Sequence, residues 1–198
     1  MIEVEVKVRI SNPDKVRKKL EENNATYKIS LHHEDYYFNM PKGLRDFKET
    51  DEALRLRRST EIHKNSVKGP RKVSSFITYK GKKIDSLTKT RKEIEVKTDN
   101  FDKTIEILEI LGFQKVLKIK KERELYTIEY KLHEIDALID YIPILDQYFL
   151  EVEVLTNAID NVEVNRKVLF ELLNLLGIKK NQSIRESYLE LIINSFKS

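Results

Sequence analysis

Residues 2–10 alternate strictly, with Ile2, Val4, Val6, Val8 and Ile10 on one side and Glu3, Glu5, Lys7 and Arg9 on the other. A period of two sustained over that length predicts a strand. Asn12-Pro13 then offers an N-cap followed by an N1 proline, and Val16 with Leu20 carry a short helix to about Asn24. Strand-like runs follow at 35–39, 53–59 and 75–81, and a second set at 92–97, 115–121, 124–131, 134–142 and 149–155. Three more helices are expected. One runs from the Asn100 cap to Gly112, one from about Asn161 to Gly177, and one begins at Ser183 and carries Ile184, Tyr188, Leu191 and Ile192. The connections are short and charged, except for a mobile-looking stretch at 60–74. No shift in composition marks a linker, so residues 1–198 read as a single domain.

The polar faces of these strands carry concentrated charge in place of mixed Ser, Thr and Asn. Glu3, Glu5 and Lys7 share a face, as do Arg55 with Arg57, Glu93 with Glu95, Lys121 with Arg123, and Glu151 with Glu153. Glu3-Val4-Glu5-Val6-Lys7 recurs as Glu93-Ile94-Glu95-Val96-Lys97, and Glu151-Val152-Glu153 is a third acidic pair ahead of a helix. This is a weak internal repeat of strand and helix. In an open sheet such faces meet water; in a closed barrel of sufficient width they line a polar lumen beneath an apolar outer wall.

Composition narrows the chemistry. There is no cysteine, which removes disulfides, thiolate metal sites and cysteine nucleophiles. Five glycines, none closer than twelve positions to another, leave no dinucleotide or P-loop phosphate cradle. Any phosphate must therefore be held by side chains. The four histidines form no ligand set, and a surface or loop position suits them. Apolar runs are too short to span a membrane, and two glutamates among the first six residues do not suit a secretory signal, so an intracellular, cytoplasmic protein is expected. Thirty-seven basic against 33 acidic residues give a net charge of +4, too mild and dispersed to point to nucleic acid.

Two glutamates at i and i+2 on a strand stand about 7 Å apart, a spacing suited to divalent cations that prefer oxygen ligands. Arg55 and Arg57 suit bidentate phosphate contacts, and they suit pairing with cross-strand glutamates equally well. A lone acidic pair ordinarily marks a solvated strand face. Three such pairs beside two basic ones make an organised site an equal contender.

Eight segments in order resemble the motifs of the CYTH domain family, the triphosphate tunnel metalloenzymes. They are Glu3-Val4-Glu5-Val6-Lys7, Asp35-Tyr36-Tyr37-Phe38, Ala53-Leu54-Arg55-Leu56-Arg57, Thr78-Tyr79-Lys80-Gly81, Arg91-Lys92-Glu93, Lys121-Glu122-Arg123, Glu151-Val152-Glu153 and Ser187-Tyr188. The resemblance covers nearly the whole chain. It implies an α+β fold, a closed antiparallel eight-stranded β-barrel with helices packed outside, and a charged tunnel that acts on triphosphates with Mg²⁺ or Mn²⁺.

By that resemblance Glu3, Glu5, Glu151 and Glu153 coordinate metal together with an aspartate of the 134–142 strand. Asp136 and Asp140 share a face there, and Asp140 is preferred by its distance from Glu151. Lys7, Arg55, Arg57, Lys80, Lys121 and Arg123 hold the triphosphate, with Arg91 a further candidate, and Lys7 and Arg57 are the expected catalytic cations. One departure stands out. Where the family pattern has a glycine ahead of the late E-x-E, this chain reads Leu145-Asp146-Gln147-Tyr148-Phe149. The expected activity is hydrolysis of inorganic or organic triphosphate. A class IV adenylyl cyclase is the alternative, and a non-catalytic polyphosphate or nucleic-acid binding module the third reading. The expected partner is a small-molecule triphosphate, with a homodimer as a family-level expectation and no membrane.

Overall fold

The computed structural model describes residues 2–62, 71–85 and 88–197. The chain runs β1 (Ile2–Ile10), α1 (Pro13–Glu22), β2 (Thr26–Asn39), β3 (Ala53–Ile62), β4 (Val73–Lys83), β5 (Arg91–Thr98) and α2 (Phe101–Ile110). It continues as β6 (Gln114–Tyr130), β7 (His133–Ile142), β8 (Gln147–Thr156), α3 (Val162–Leu175), β9 (Ser183–Ile184) and α4 (Tyr188–Ser195). All pairings are antiparallel, and the sheet order is β5-β4-β3-β2-β6-β7-β8-β1. Ile2↔Lys92 and Glu3↔Arg91 join β1 back to β5 and close an eight-stranded barrel. The four helices lie outside its wall, and none among the described residues is long and apolar enough to cross a membrane.

The seam between β1 and β5 is short, and other segments complete it. The Lys89 N–H donates to the Glu5 carbonyl at 3.1 Å, and β9 pairs Ile184 with Lys7 and Ser183 with Val8 further along the same edge. β1 thereby keeps partners on both sides.

Burial sorts the two faces of the wall. Val4, Val6 and Val8 point outward and are fully buried with Ile135, Ile139, Leu150 and Val152 under Leu20 of α1 and Leu169, Leu172 and Leu173 of α3. Phe38, Leu54 and Leu56 pack outward against Phe101 and Leu108 of α2. At one end of the barrel the inward-facing Tyr37, Ile119, Ile142 and Phe149 meet Tyr188, Leu191 and Ile192 of α4. The helix starts are set by side-chain caps. Asn12 accepts from the Lys15 N–H and Asn100 from the Lys103 N–H, both at 2.9 Å, while Ser187 and Glu190 cap α4 reciprocally.

Four expectations change. The runs at 115–121 and 124–131 are one strand, β6, whose period is masked over Lys120–Glu124 because both faces are charged there: Lys121 and Arg123 point inward, and Lys120, Glu122 and Glu124 outward. β2 begins at Thr26, well ahead of the run at 35–39; Tyr27, Ile29 and Leu31 alternate there with Lys28, Ser30 and His32, a period that extends the strand upstream. Ser183–Ile184 is a strand, and the last helix starts at Tyr188. The stretch at 60–74 contains strand residues at both ends, and its centre, 63–70, lies outside the described residues. At the β7–β8 turn, Asp146 takes φ +46, a left-handed conformation that aspartate tolerates better than most residues, and accepts from the Tyr141 hydroxyl at 2.8 Å. The turn is thus made without the family's glycine.

Candidate active site

Strand alternation turns the charged faces into one lumen. A cavity of about 910 Å³ is lined from β1–β6, β8 and α4. Glu3 and Glu5 of β1 stand beside Glu153 of β8, with Glu5 directly opposite Glu153 in register. One carboxylate oxygen from each of the three lies within 4.8 Å of the others. Burial, then the Glu151 charge, pushes Glu5 up to about 8; burial, then Glu3, holds Glu153 well above the ordinary carboxylate range. Three carboxylates that repel one another, Glu5 buried and Glu3 and Glu153 half-buried, form a donor set that fits a hard divalent cation.

Asp140 and Glu151 are each paired with cations, Glu151 beside Glu5 through the shared Lys89. Asp140 is fully buried and accepts from Arg123 Nε and Nη2 at 2.6 Å each, Lys121 Nζ at 3.1 Å and the Tyr188 hydroxyl at 2.8 Å. Burial pushes its carboxyl up, and the Arg123 and Lys121 charges more than reverse this. Both oxygens accept from cations, and Asp140 is not among the three carboxylates whose oxygens converge. Asp136, the other candidate, accepts from Thr127 Oγ1 at 3.0 Å and sits opposite Glu153 in register. Glu151 accepts from Arg123 at 2.6 Å and Lys89 at 3.2 Å, with Lys7 at 4.0 Å. Its carboxyl is raised by burial, but Lys89 and Arg123 bring it well below the usual range.

Basic residues complete the site, with Arg55 and Arg57 of β3 and Lys121 of β6 away from the acidic strands and Lys7, Lys80 and Arg91 beside them. Arg57 is held in a two-pronged pair by Asp35, Nε to Oδ1 at 2.6 Å and Nη2 to Oδ2 at 2.7 Å. Arg55 donates to Thr78 at 3.0 Å and Glu95 at 3.4 Å. Lys80 pairs with Glu93 and stands 3.9 Å from Glu3. Arg91 lines the cavity 3.6 Å from Asp51. Burial, then the Arg123 charge, brings Lys121 down to about 8. Lys7 is completely buried, with its Nζ 4.1 Å from the centre of the Tyr188 ring and no hydrogen-bond partner among the described residues. Burial and the neighbouring Lys89 lower it to about 7.

Sequence reasoning missed three residues that the fold brings here. His33, expected at a surface or in a loop, is buried on the inner face between Ser59 and Lys121, because β2 extends far enough that residue 33 shares a face with Asp35 and Tyr37. Burial and the Arg57 and Lys121 charges keep its imidazole neutral to well below 6.5. Asp35, visible in the sequence only as part of a motif, stands opposite Arg57 in register and carries the opposite charge. Lys89 lies between elements, where no period could single it out, yet its Nζ reaches Glu5 at 2.5 Å.

Comparison with known proteins gives the site a lineage. A family model described as the CYTH domain matches residues 1–188. A Methanocaldococcus jannaschii protein named "Putative adenylate cyclase MJ0240" is 41% identical over 192 residues, covering 96% of this chain and 98% of its own. The structure of the PH1819 protein from Pyrococcus horikoshii OT3 is similar with a TM-score of 0.83 and 36% identity, over 98% of this chain and 99% of that one. A Hippeastrum protein, described as a putative adenylyl cyclase with a dominant triphosphatase activity, shares the fold at a TM-score of 0.63 and 16% identity, over 98% and 96% of the two chains. With eight strands closed around opposed acidic and basic walls, and a family match over nearly its full length, the chain belongs to the CYTH domain family.

Proposed function

We propose that this protein is an intracellular metal-dependent triphosphatase, hydrolysing inorganic or organic triphosphate within the barrel. The observation that carries this reading is the opposition of two walls in one cavity, the Glu3–Glu5–Glu153 carboxylates on one side and the Arg55, Arg57, Lys121 and Arg123 cations on the other. A basic tunnel alone would bind a polyanion without turning it over. Glu3, Glu5 and Glu153 would hold Mg²⁺ or Mn²⁺, which when bound polarises phosphoryl oxygens and supports attack of water on phosphorus. Arg57, fixed by Asp35, and Arg123, fixed by Asp140 and Glu151, present preorganised positive charge where negative charge grows on the leaving phosphate. Lys7 would neutralise the same charge from the β1 side.

Hydrolysis requires no base recognition and no alignment of a ribose hydroxyl, so it asks least of this site; the triphosphatase activity described for the Hippeastrum protein is in keeping with it. Cyclisation of ATP is the second reading. It is favoured by the name of the Methanocaldococcus relative and by Phe47, Leu189 and Ile193 on the cavity wall, an apolar surface suited to an organic group. The test is to incubate the protein with Mg²⁺ or Mn²⁺ and, separately, inorganic triphosphate and ATP, and to resolve the products. Phosphate and pyrophosphate from triphosphate, without cyclic nucleotide from ATP, is the expected result. Cyclic AMP with pyrophosphate would replace the first reading by the second, and binding without turnover of either would leave a binding module.

A further inference from the structure

Within this reading of the site, Lys89 has a part that its position outside the regular strands conceals. Its Nζ lies 2.5 Å from Glu5 Oε1 and 3.2 Å from Glu151 Oε1, with the side chain only 11% exposed. Glu5 is also one of the three carboxylates whose oxygens converge. The ammonium and a divalent cation therefore draw on the same carboxylate, and as like charges a few ångströms apart they oppose each other.

The backbone that carries Lys89 is clamped. Its N–H is fixed to the Glu5 carbonyl at 3.1 Å. Asp85 accepts from the Thr88 N–H at 2.7 Å and is itself held by Arg166 at 2.6 Å, while Arg185 donates to the Asp85 carbonyl at 2.9 Å. The side-chain stem lines the cavity, with Nζ 5.9 Å from the Tyr188 ring, over which Lys7 and Lys121 also stand. We propose that Lys89 is a tethered stand-in cation: it occupies Glu5 and Glu151 in the metal-free protein, is displaced by an arriving divalent cation, and then contributes a further ammonium to the triphosphate. A purely structural ion pair would have no reason to sit on a convergent acidic donor set while lining the substrate cavity.

The two roles predict effects of opposite sign. Titration calorimetry with Mg²⁺ alone, at about pH 9 where protons compete least for carboxylates, should show Lys89→Gln binding Mg²⁺ about tenfold more tightly than wild type, the scale of one buried charge pair. Lys89→Arg, which keeps the charge, should not tighten binding, and Lys89→Gln should bind a non-hydrolysable triphosphate analogue more weakly in the presence of Mg²⁺. Glu153→Gln separates the two ideas. If wild type binds Mg²⁺ and Glu153→Gln does not, the metal reading stands, and an unchanged or weaker Mg²⁺ affinity in Lys89→Gln overturns the stand-in alone. If wild type binds no Mg²⁺, both fall. A second measurement needs no variant. Acetylation of wild-type Lys89, followed by mass spectrometry, should rise when Mg²⁺ is added and fall again with the triphosphate analogue. Equal labelling with and without Mg²⁺ overturns the proposal.

Discussion

Asp140→Asn separates an organiser of cations from a metal ligand. The carboxylate is completely buried and accepts four hydrogen bonds, two from Arg123 and one each from Lys121 and Tyr188. Asparagine keeps the shape, but it removes the charge and replaces one acceptor by an NH₂ donor that must face Arg123 or Lys121. Breaking a buried pair from one side costs about 3–5 kcal/mol, because a desolvated charge is left without its partner. Arg123 retains Glu151 at 2.6 Å, so the lower end applies. At about 2–4 °C per kcal/mol for a chain of this size, a loss of about 3 kcal/mol lowers the melting temperature by about 6–12 °C. Affinity for triphosphate should fall with it, since Lys121 and Arg123 lose their alignment, while affinity for Mg²⁺ in the absence of triphosphate should change little. Calorimetric melting and Mg²⁺ titration of the same preparation check both parts. A variant that melts with wild type and no longer binds Mg²⁺ would refute the reasoning and return Asp140 to the metal.

Glu153→Gln should raise the stability of the metal-free protein while eliminating Mg²⁺ binding and turnover, because it relieves repulsion with Glu3 and Glu5; a destabilised variant in thermal melts would contradict this. Arg57→Lys keeps a charge but cannot make the two-pronged pair with Asp35, and kcat/KM for triphosphate should drop about 10²-fold, the scale of one misaligned stabilising donor. Unchanged kinetics would remove Arg57 from the reaction. For His33 the folded imidazole stays neutral well below 6.5 while the unfolded one protonates near that value, so the unfolded state binds more protons as the pH falls. Stability should therefore decline on the acid side of 6.5 with a slope of up to about 1.4 kcal/mol per pH unit, and His33→Gln should remove that component. Urea unfolding at a series of pH values reads it, and parallel curves for the two proteins would show His33 to be solvated.

How much of this was legible depended on whether a residue lay on a face with a regular period. β1 announced itself because its outer face is all aliphatic and its inner face all charged, and the same contrast marked β3 and β8. β6 was read as two strands because its middle carries charge on both faces, the inner for the lumen and the outer for water. Register was invisible, and register decided the fate of Asp140. Only the pairing of β6 with β7 places Asp140 opposite Arg123, and only the fold of α4 over the barrel end brings the Tyr188 hydroxyl to it. His33 is a different case: Ile29 and Leu31 alternate with Lys28, Ser30 and His32 and already place residue 33 on their inward face, but the adjacent pair His32-His33 breaks that period.

Lys89 lay beyond any period. Its role comes from a seam that β1 and β5 leave incomplete, through which the chain feeds one backbone N–H to Glu5 and one side chain to the lumen. Such a seam is costly unless something stable surrounds it. That support comes from the outer wall, where the aliphatic side chains of β1, β7 and β8 pack under α1 and α3. The division explains how one strand can serve both ends: Val4, Val6 and Val8 hold the wall together, and Glu3, Glu5 and Lys7 on the opposite face are left with strained electrostatics that a divalent cation and a polyanion together would relieve.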